Sequence, residues 1–208
     1  DERGLMGDGF DLHQQDHAAR IFMTEADARA FAVAVAWELK QAGDSDAWDA
    51  AMGMGIYRQT ATNFENRMTE RLGEAPDGAG HSDYTDADIR SAMGQAYKTW
   101  FTRQSIRAPY IEGIRATTEE HNGVWPGYQA LPADITRKLG QLPDDPQGAR
   151  GASYLGRSDL ELAKHHARIA FPVLVAGRHD SSPAALPAND DREPVARVAL
   201  LRLRDRLG

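Results

Sequence analysis

At 208 residues the chain is long enough for one domain with a sizeable core and marginal for two. Its formal net charge of −7 argues against a general nucleic-acid binder, which needs a basic face to meet phosphates. Without cysteine it has no disulfides, no thiolate metal ligands and no cysteine nucleophile. The longest apolar run, AFAVAVAW at 30–37, is far too short to span a membrane. The first residues, DERGLMGDGF, have no basic segment leading into an apolar one and do not read as a secretory signal, so a cytoplasmic setting is favoured.

In chain order, Asp11 suits the cap of a short first helix carrying His13 and His17, with Gln14 closing the box. A turn is expected near Met23–Thr24. Thr24 then reads as the N-cap of a second helix, with Asp27 in the capping-box position and Gly43 ending it. The repeat Ala28, Phe31, Val35, Leu39 is its expected buried stripe. A helix over 55–72 follows from Ile56, Thr60, Phe64, Met68 and Leu72. Thr85 and Asp88 announce another, whose buried face is Ile89, Met93, Tyr97, Trp100 and Phe101. Pro109 suits the first turn of a helix that stops at His121-Asn122-Gly123. Pro132 to Leu139, closed by Gly140, predicts a short helix; Ser158 and Glu161 predict the cap of one more, to about Ile169.

FPVLVAG at 171–177 is the one good strand candidate, and its Pro172 demotes it to an edge strand or an extended linker. The expected fold is therefore mainly α: a single domain of five to seven helices over 1–179, with at most a short edge strand. A Pro-rich tether over 180–194 leads to a basic, apolar tail at 195–208.

His13 and His17 stand four apart, so on a helix both imidazoles project from one side and can reach one ion. Glu25 would be the third ligand of a zinc ion after the turn at Met23–Thr24. Hydrolysis also needs a base for the metal-bound water. Gln14 occupies the place of the glutamate in H-E-x-x-H and, as an amide, has no useful protonation equilibrium. Asp16, beside the second histidine, is the nearest carboxylate, though one methylene shorter than glutamate. The plain alternative is a solvated helix face, and Gln14, Gln15 and Asp16 have its composition.

The run TEADARAFAVAVAWELKQAGD (24–44) resembles a segment of an uncharacterised bacterial family of zinc metallopeptidase-like proteins of the broad zincin type. AMGQAYKTWF (92–101) with a trailing Tyr110, and LPADITRKLGQLP (131–143), are similar to later elements of the same family. The resemblance implies a helical metallopeptidase-like fold over about 20–155, with Glu25 as a ligand or site-lining carboxylate. Zincins carry their histidine pair well upstream, on a helix of its own. The expectation is then that an H-E-x-x-H segment precedes Asp1 or has been lost, and that these residues alone are not a competent peptidase.

The remaining constellations read as structural. Adjacent His165 and His166 point about 100° apart on a helix, and a Glu161–His165 pair at helical spacing explains one of them. His121 suits a helix end, and Trp125-Pro126-Gly127-Tyr128 reads as an anchored aromatic loop rather than a ligand groove. The competing function is a non-catalytic interaction module, with Arg197, Arg202, Leu203, Arg204 and Leu207 docking a protein or peptide, or joining copies of the chain.

Overall fold

A computed structural model describes residues 11–72, 84–141 and 153–172. These belong to one compact unit, residues 1–173. The tether and the docking tail expected over 180–208 lie outside the described residues, as does nearly all of the proposed edge strand, of which only Phe171 and Pro172 are seen. The expected mainly α architecture is what the described residues adopt: among them are seven helices and no strand, only an isolated bridge between Leu12 and Gln129.

Helix α1 spans Gln14–Gln41 without interruption. No turn separates His17 from Glu25, and Thr24 is a buried mid-helix residue rather than a cap. The reason is local: residues 14–41 contain neither glycine nor proline and include eight alanines, so nothing breaks the helix and its propensity is high throughout. Its N-cap is His13, not Asp11, and no side chain caps it. Asp11 instead accepts the amides of Tyr128 and Gln129 on its backbone carbonyl, at 2.9 and 2.7 Å. Gly43 ends the segment as expected, at φ +94°.

The buried face of α1 is also not the one the repeat suggested. Phe22, Ala26, Ala30, Val33 and Trp37 point into the core, whereas Ala28, Phe31, Val35 and Leu39 lie on the exposed side. Both stripes are apolar and both follow helical spacing, so periodicity alone does not choose between them. The choice comes from the volume of the partners: Phe22 packs on Trp100 at 5.4 Å and Trp37 on Phe64 at 5.9 Å between ring centroids.

Helix α2, Asp46–Gly53, is an addition to the expected elements, and α3 follows at Gly55–Leu72. Within α3, Thr60, Phe64 and Met68 are buried as predicted, but Ile56 is exposed. Helix α4, Asp86–Trp100, starts with the predicted box: Thr85 Oγ1 accepts the Asp88 amide at 3.4 Å, and Asp88 Oδ2 accepts the Thr85 amide at 3.0 Å. Its predicted face of Ile89, Met93, Tyr97, Trp100 and Phe101 is buried.

Helix α5, Gln104–Glu120, begins earlier than Pro109 suggested and holds that proline inside it. Arg107 supports the early start by donating from Nη1 to the carbonyls of Phe101 (2.5 Å) and Arg103 (3.2 Å) across the α4–α5 turn. The helix ends at His121, where Asn122 and Gly123 adopt positive φ. Short α6, Ala133–Lys138, matches the expectation for 132–140, with Gly140 at φ +69°. Helix α7, Arg157–Ala170, is capped at Gly156, whose amide donates to Asp159 Oδ2 at 2.9 Å, so Ser158 and Glu161 are not its capping pair. Helix α1 packs against α2, α3, α4, α5 and α7 and is the axis of the bundle.

Candidate functional site

The N-terminal third of α1 carries the histidines. His13 is exposed and His17 is buried, its ring 5.0 Å from that of Trp125. Trp125 Nε1 in turn donates to the Leu12 carbonyl at 2.7 Å. The aromatic loop is thus an anchor across the start of α1, while Tyr128 and Val124 remain exposed. Asp16 accepts the Leu131 amide at 3.2 Å on Oδ2, fixing the segment that leads into α6. The residue offered as a general base is therefore a fastener for this loop.

Because α1 is continuous, Glu25 sits about 12 Å along the axis from His17 and about 80° around it. The expected trio of His13, His17 and Glu25 does not converge. Among the described residues no group of three or more histidine, aspartate or glutamate side chains is placed to hold a metal ion. Zinc needs three or four such donors at about 2 Å, so these three residues do not fit it as a set.

What surrounds Glu25 is a different constellation. Its Oε2 accepts the Tyr110 hydroxyl at 2.6 Å, 85 positions away in sequence. Burial, and then this bond and the carboxylate charge, push the Tyr110 phenol well above its usual range. One turn further along α1, Arg29 lies with its guanidinium 5.0 Å over the Tyr57 ring. Arg29 is 6% exposed, and its Nη1 meets no hydrogen-bond acceptor. Trp100, 6.0 Å from the Tyr110 ring, floors the cluster and is fully buried, its Nε1 also unpartnered. Glu25, Tyr57 and Tyr110, from α1, α3 and α5, are half-buried, so the cluster reaches the surface.

Two residues on, Asp27 is almost fully buried and accepts the Tyr154 hydroxyl at 2.5 Å and the Gly140 amide at 3.2 Å, both on Oδ1. The Thr24-Glu25-Ala26-Asp27 run therefore joins each of the later elements singled out in the sequence. Glu25 holds Tyr110, and Asp27 holds Gly140 of the Leu-Gly element.

Arg29 and Tyr57 were not anticipated as site residues. The signal was present in the phase of the helix: Phe22, Ala26, Arg29 and Val33 follow one buried stripe, and a charged residue in that phase needs a reason.

Among the described residues, His121, His165 and His166 make local packing and backbone contacts. His166 stacks on Phe101 at 5.3 Å and His165 lies edge-on to it. Burial, then the Arg107 charge and His165, hold the His166 imidazole below its ordinary value. Glu161 pairs with Lys164 at 3.0 Å and with Arg168 at 3.9 Å rather than with His165. His121 Nδ1 lies 2.8 Å from the Thr117 carbonyl at the end of α5.

Comparison with curated proteins and with solved structures yields no match. No helix among the described residues is long and apolar enough to cross a membrane. A family model does match residues 8–147, the part of the chain from the start of α1 through α6, which contains the Glu25–Tyr110 and Asp27–Gly140 pairs. On that match, which covers well over half of its length, the chain belongs to the family described as "Putative metallopeptidase family (DUF6782)".

Proposed function

We propose that this chain is a peptide-handling helical domain of metallopeptidase type, whose described residues bind and position polypeptide without using His13, His17 and Glu25 together as a zinc site. Family membership supports the peptide substrate class. The observation that carries the rest is the Glu25–Tyr110 bond. It gives the expected third ligand a tyrosine partner, a full two turns of α1 beyond His17. Zinc enters this reading only as the ion such a family is expected to use, and Asp16 only as a carboxylate near the histidine pair.

The test is metal content and proteolysis measured together. The purified chain is stripped with chelator, reloaded with zinc, dialysed and analysed for bound metal, then incubated with casein. The reading expects no retained equivalent that depends on His13 and His17, and no cleavage by the chain alone. One equivalent of zinc lost in a His13→Ala/His17→Ala double variant, with zinc-dependent cleavage, overturns it and restores the hydrolytic trio.

A second reading, the non-catalytic interaction module, is favoured by one observation. Phe31, Val35 and Leu39 form a stripe along α1 with exposures of 36, 38 and 39%. An apolar helical stripe at this spacing suits docking onto a partner. The Arg197, Arg202, Leu203, Arg204 and Leu207 tail belongs to this reading from its sequence. Deleting 195–208 is expected to abolish partner capture or self-association while the helices stay folded.

A further inference from the structure

We infer that the polar groove between α3 and α4 binds a short, extended, uncharged stretch of polypeptide through its backbone amides. The inference rests on the peptide-handling reading above for the class of ligand. It goes beyond that reading in naming a surface to which His13, His17 and Glu25 contribute nothing.

The groove holds about 450 Å³, within the range of small-ligand sites. Two bonds tie its walls together. Asn63 Nδ2 donates to Thr99 Oγ1 at 2.9 Å, and Arg67 Nε donates to Ser91 Oγ at 3.0 Å. As α3 runs forward from 63 to 67, its partners on α4 run back from 99 to 91, so the two helices are antiparallel. Each wall contributes a row at helical spacing, Asn63, Asn66 and Glu70 on one side and Ser91, Gln95 and Lys98 on the other. At the helical rise each row is about 10 Å long, the span of about three extended residues.

The charges on these walls are already answered. Arg67 Nη1 pairs with Glu70 at 3.0 Å, and Lys98 pairs with Asp159 at 3.4 Å. An anion would have to compete with both carboxylates. What is left over is amide chemistry. The side chains of Asn66 and Gln95, one on each wall, are exposed and make no hydrogen bond among the described residues. Asn63, tied to Thr99 through Nδ2, keeps Oδ1 as an acceptor. A primary amide carries N–H donors and a C=O acceptor side by side, and a peptide unit presents the same two groups. Amides on opposite walls therefore complement an extended backbone, whose main-chain groups supply the affinity in this mode of recognition.

The described lining includes no aromatic or apolar residue. A sugar finds no ring to lie against, and a large apolar side chain finds no pocket. The segment that fits is one of small or polar residues.

The experiment uses the full chain in chelator, which separates binding from any metal chemistry. N-acetyl-triserine amide is titrated while nitrogen-15 NMR follows the side-chain amides of asparagine and glutamine. Maltotriose is titrated in parallel, and labelled casein is followed by fluorescence anisotropy. The expected result is saturable shifts of the Asn66 and Gln95 amides with the capped peptide and none with maltotriose. Asn66→Ala and Gln95→Ala should each weaken the peptide severalfold, and the double variant about tenfold. Melting temperatures should stay at the wild-type value, since neither side chain holds a hydrogen bond of the described fold.

Casein binding without any shift of the two amides by the capped peptide overturns this site and leaves the peptide-handling reading standing. Peptide binding that the double variant does not weaken does the same. Larger shifts with maltotriose overturn the choice of a peptide ligand for the groove. If neither casein nor the capped peptide binds, both readings fall.

Discussion

Asp27 Oδ1 accepts the Tyr154 hydroxyl at 2.5 Å, joining the middle of α1 to the segment just before α7 across 127 positions of sequence. The same oxygen holds the Gly140 amide. One carboxylate thereby closes the C-terminal end of the family-matched region onto the helix that forms its axis. Asp27→Ala would remove the acceptor of the buried Gly140 amide and of the half-buried Tyr154 hydroxyl, and is expected to cost about 2–4 kcal/mol. Tyr154→Phe, which removes one charge-assisted bond, should cost about 1.5–3 kcal/mol. Chemical denaturation of both variants measures the pair, and an Asp27→Ala change below about 0.5 kcal/mol would deny it this closing role.

Gly140 is tied to the same contact by its backbone. Its φ of +69° favours glycine, and an added Cβ would lie 2.7 Å from Leu155 Cγ and closer still to the Ser153 hydroxyl. Gly140→Ala is expected to destabilise by about 1–3 kcal/mol through strain and overpacking. Gly123, at φ +78° with open space around it, serves as the control: Gly123→Ala should cost about 1 kcal/mol, from backbone strain alone.

The two apolar stripes of α1 make opposite predictions. Trp37→Ala removes a core ring packed on Phe64 and Tyr84 and is expected to cost about 3–5 kcal/mol. Val35→Ser, on the exposed side, should stay within about 0.5 kcal/mol. Melting temperatures of the pair distinguish the faces directly, and the reverse order would mean the helix is rotated relative to this description.

The histidines differ in the same way. His17→Ala loses the contact with Trp125 and should destabilise by about 1–2 kcal/mol, whereas exposed His13→Ala should be near neutral. Equal effects of both, accompanied by loss of bound metal, would point back to a shared ion.

Stability should also fall on acidification through His166. Its imidazole is held below the ordinary value of 6.5, first by burial and then by Arg107 and His165. The unfolded chain therefore binds the proton more readily. The contribution is fully present above pH 6.5 and is lost as pH falls from there through the lower folded value. Melting curves recorded from pH 7.5 to 5 should show this loss, and His166→Phe, which keeps the stack on Phe101, should flatten it.

Local rules read much of the helical content directly from the chain. The Thr85–Asp88 box, the Asn122-Gly123 stop and the Gly140 closure each depend on residues within one turn of each other, so their chemistry is written in consecutive positions. Composition likewise ruled out thiolate chemistry and a membrane-spanning helix. The face of α1 and its length were decided elsewhere. With alanine on every side and no breaker from 14 to 41, the helix had two apolar stripes of equal periodicity. Only the large rings of Trp100 and Phe64, supplied by α4 and α3, selected the one to bury. The candidate site was decided the same way. Glu25 and Arg29 are visibly four apart, but Tyr110 and Tyr57 reach them from distant helices, and no spacing rule brings side chains 85 positions apart into hydrogen-bond distance. That convergence is a property of packing, and it gives Glu25 a tyrosine partner and sets the Arg29 guanidinium over the Tyr57 ring.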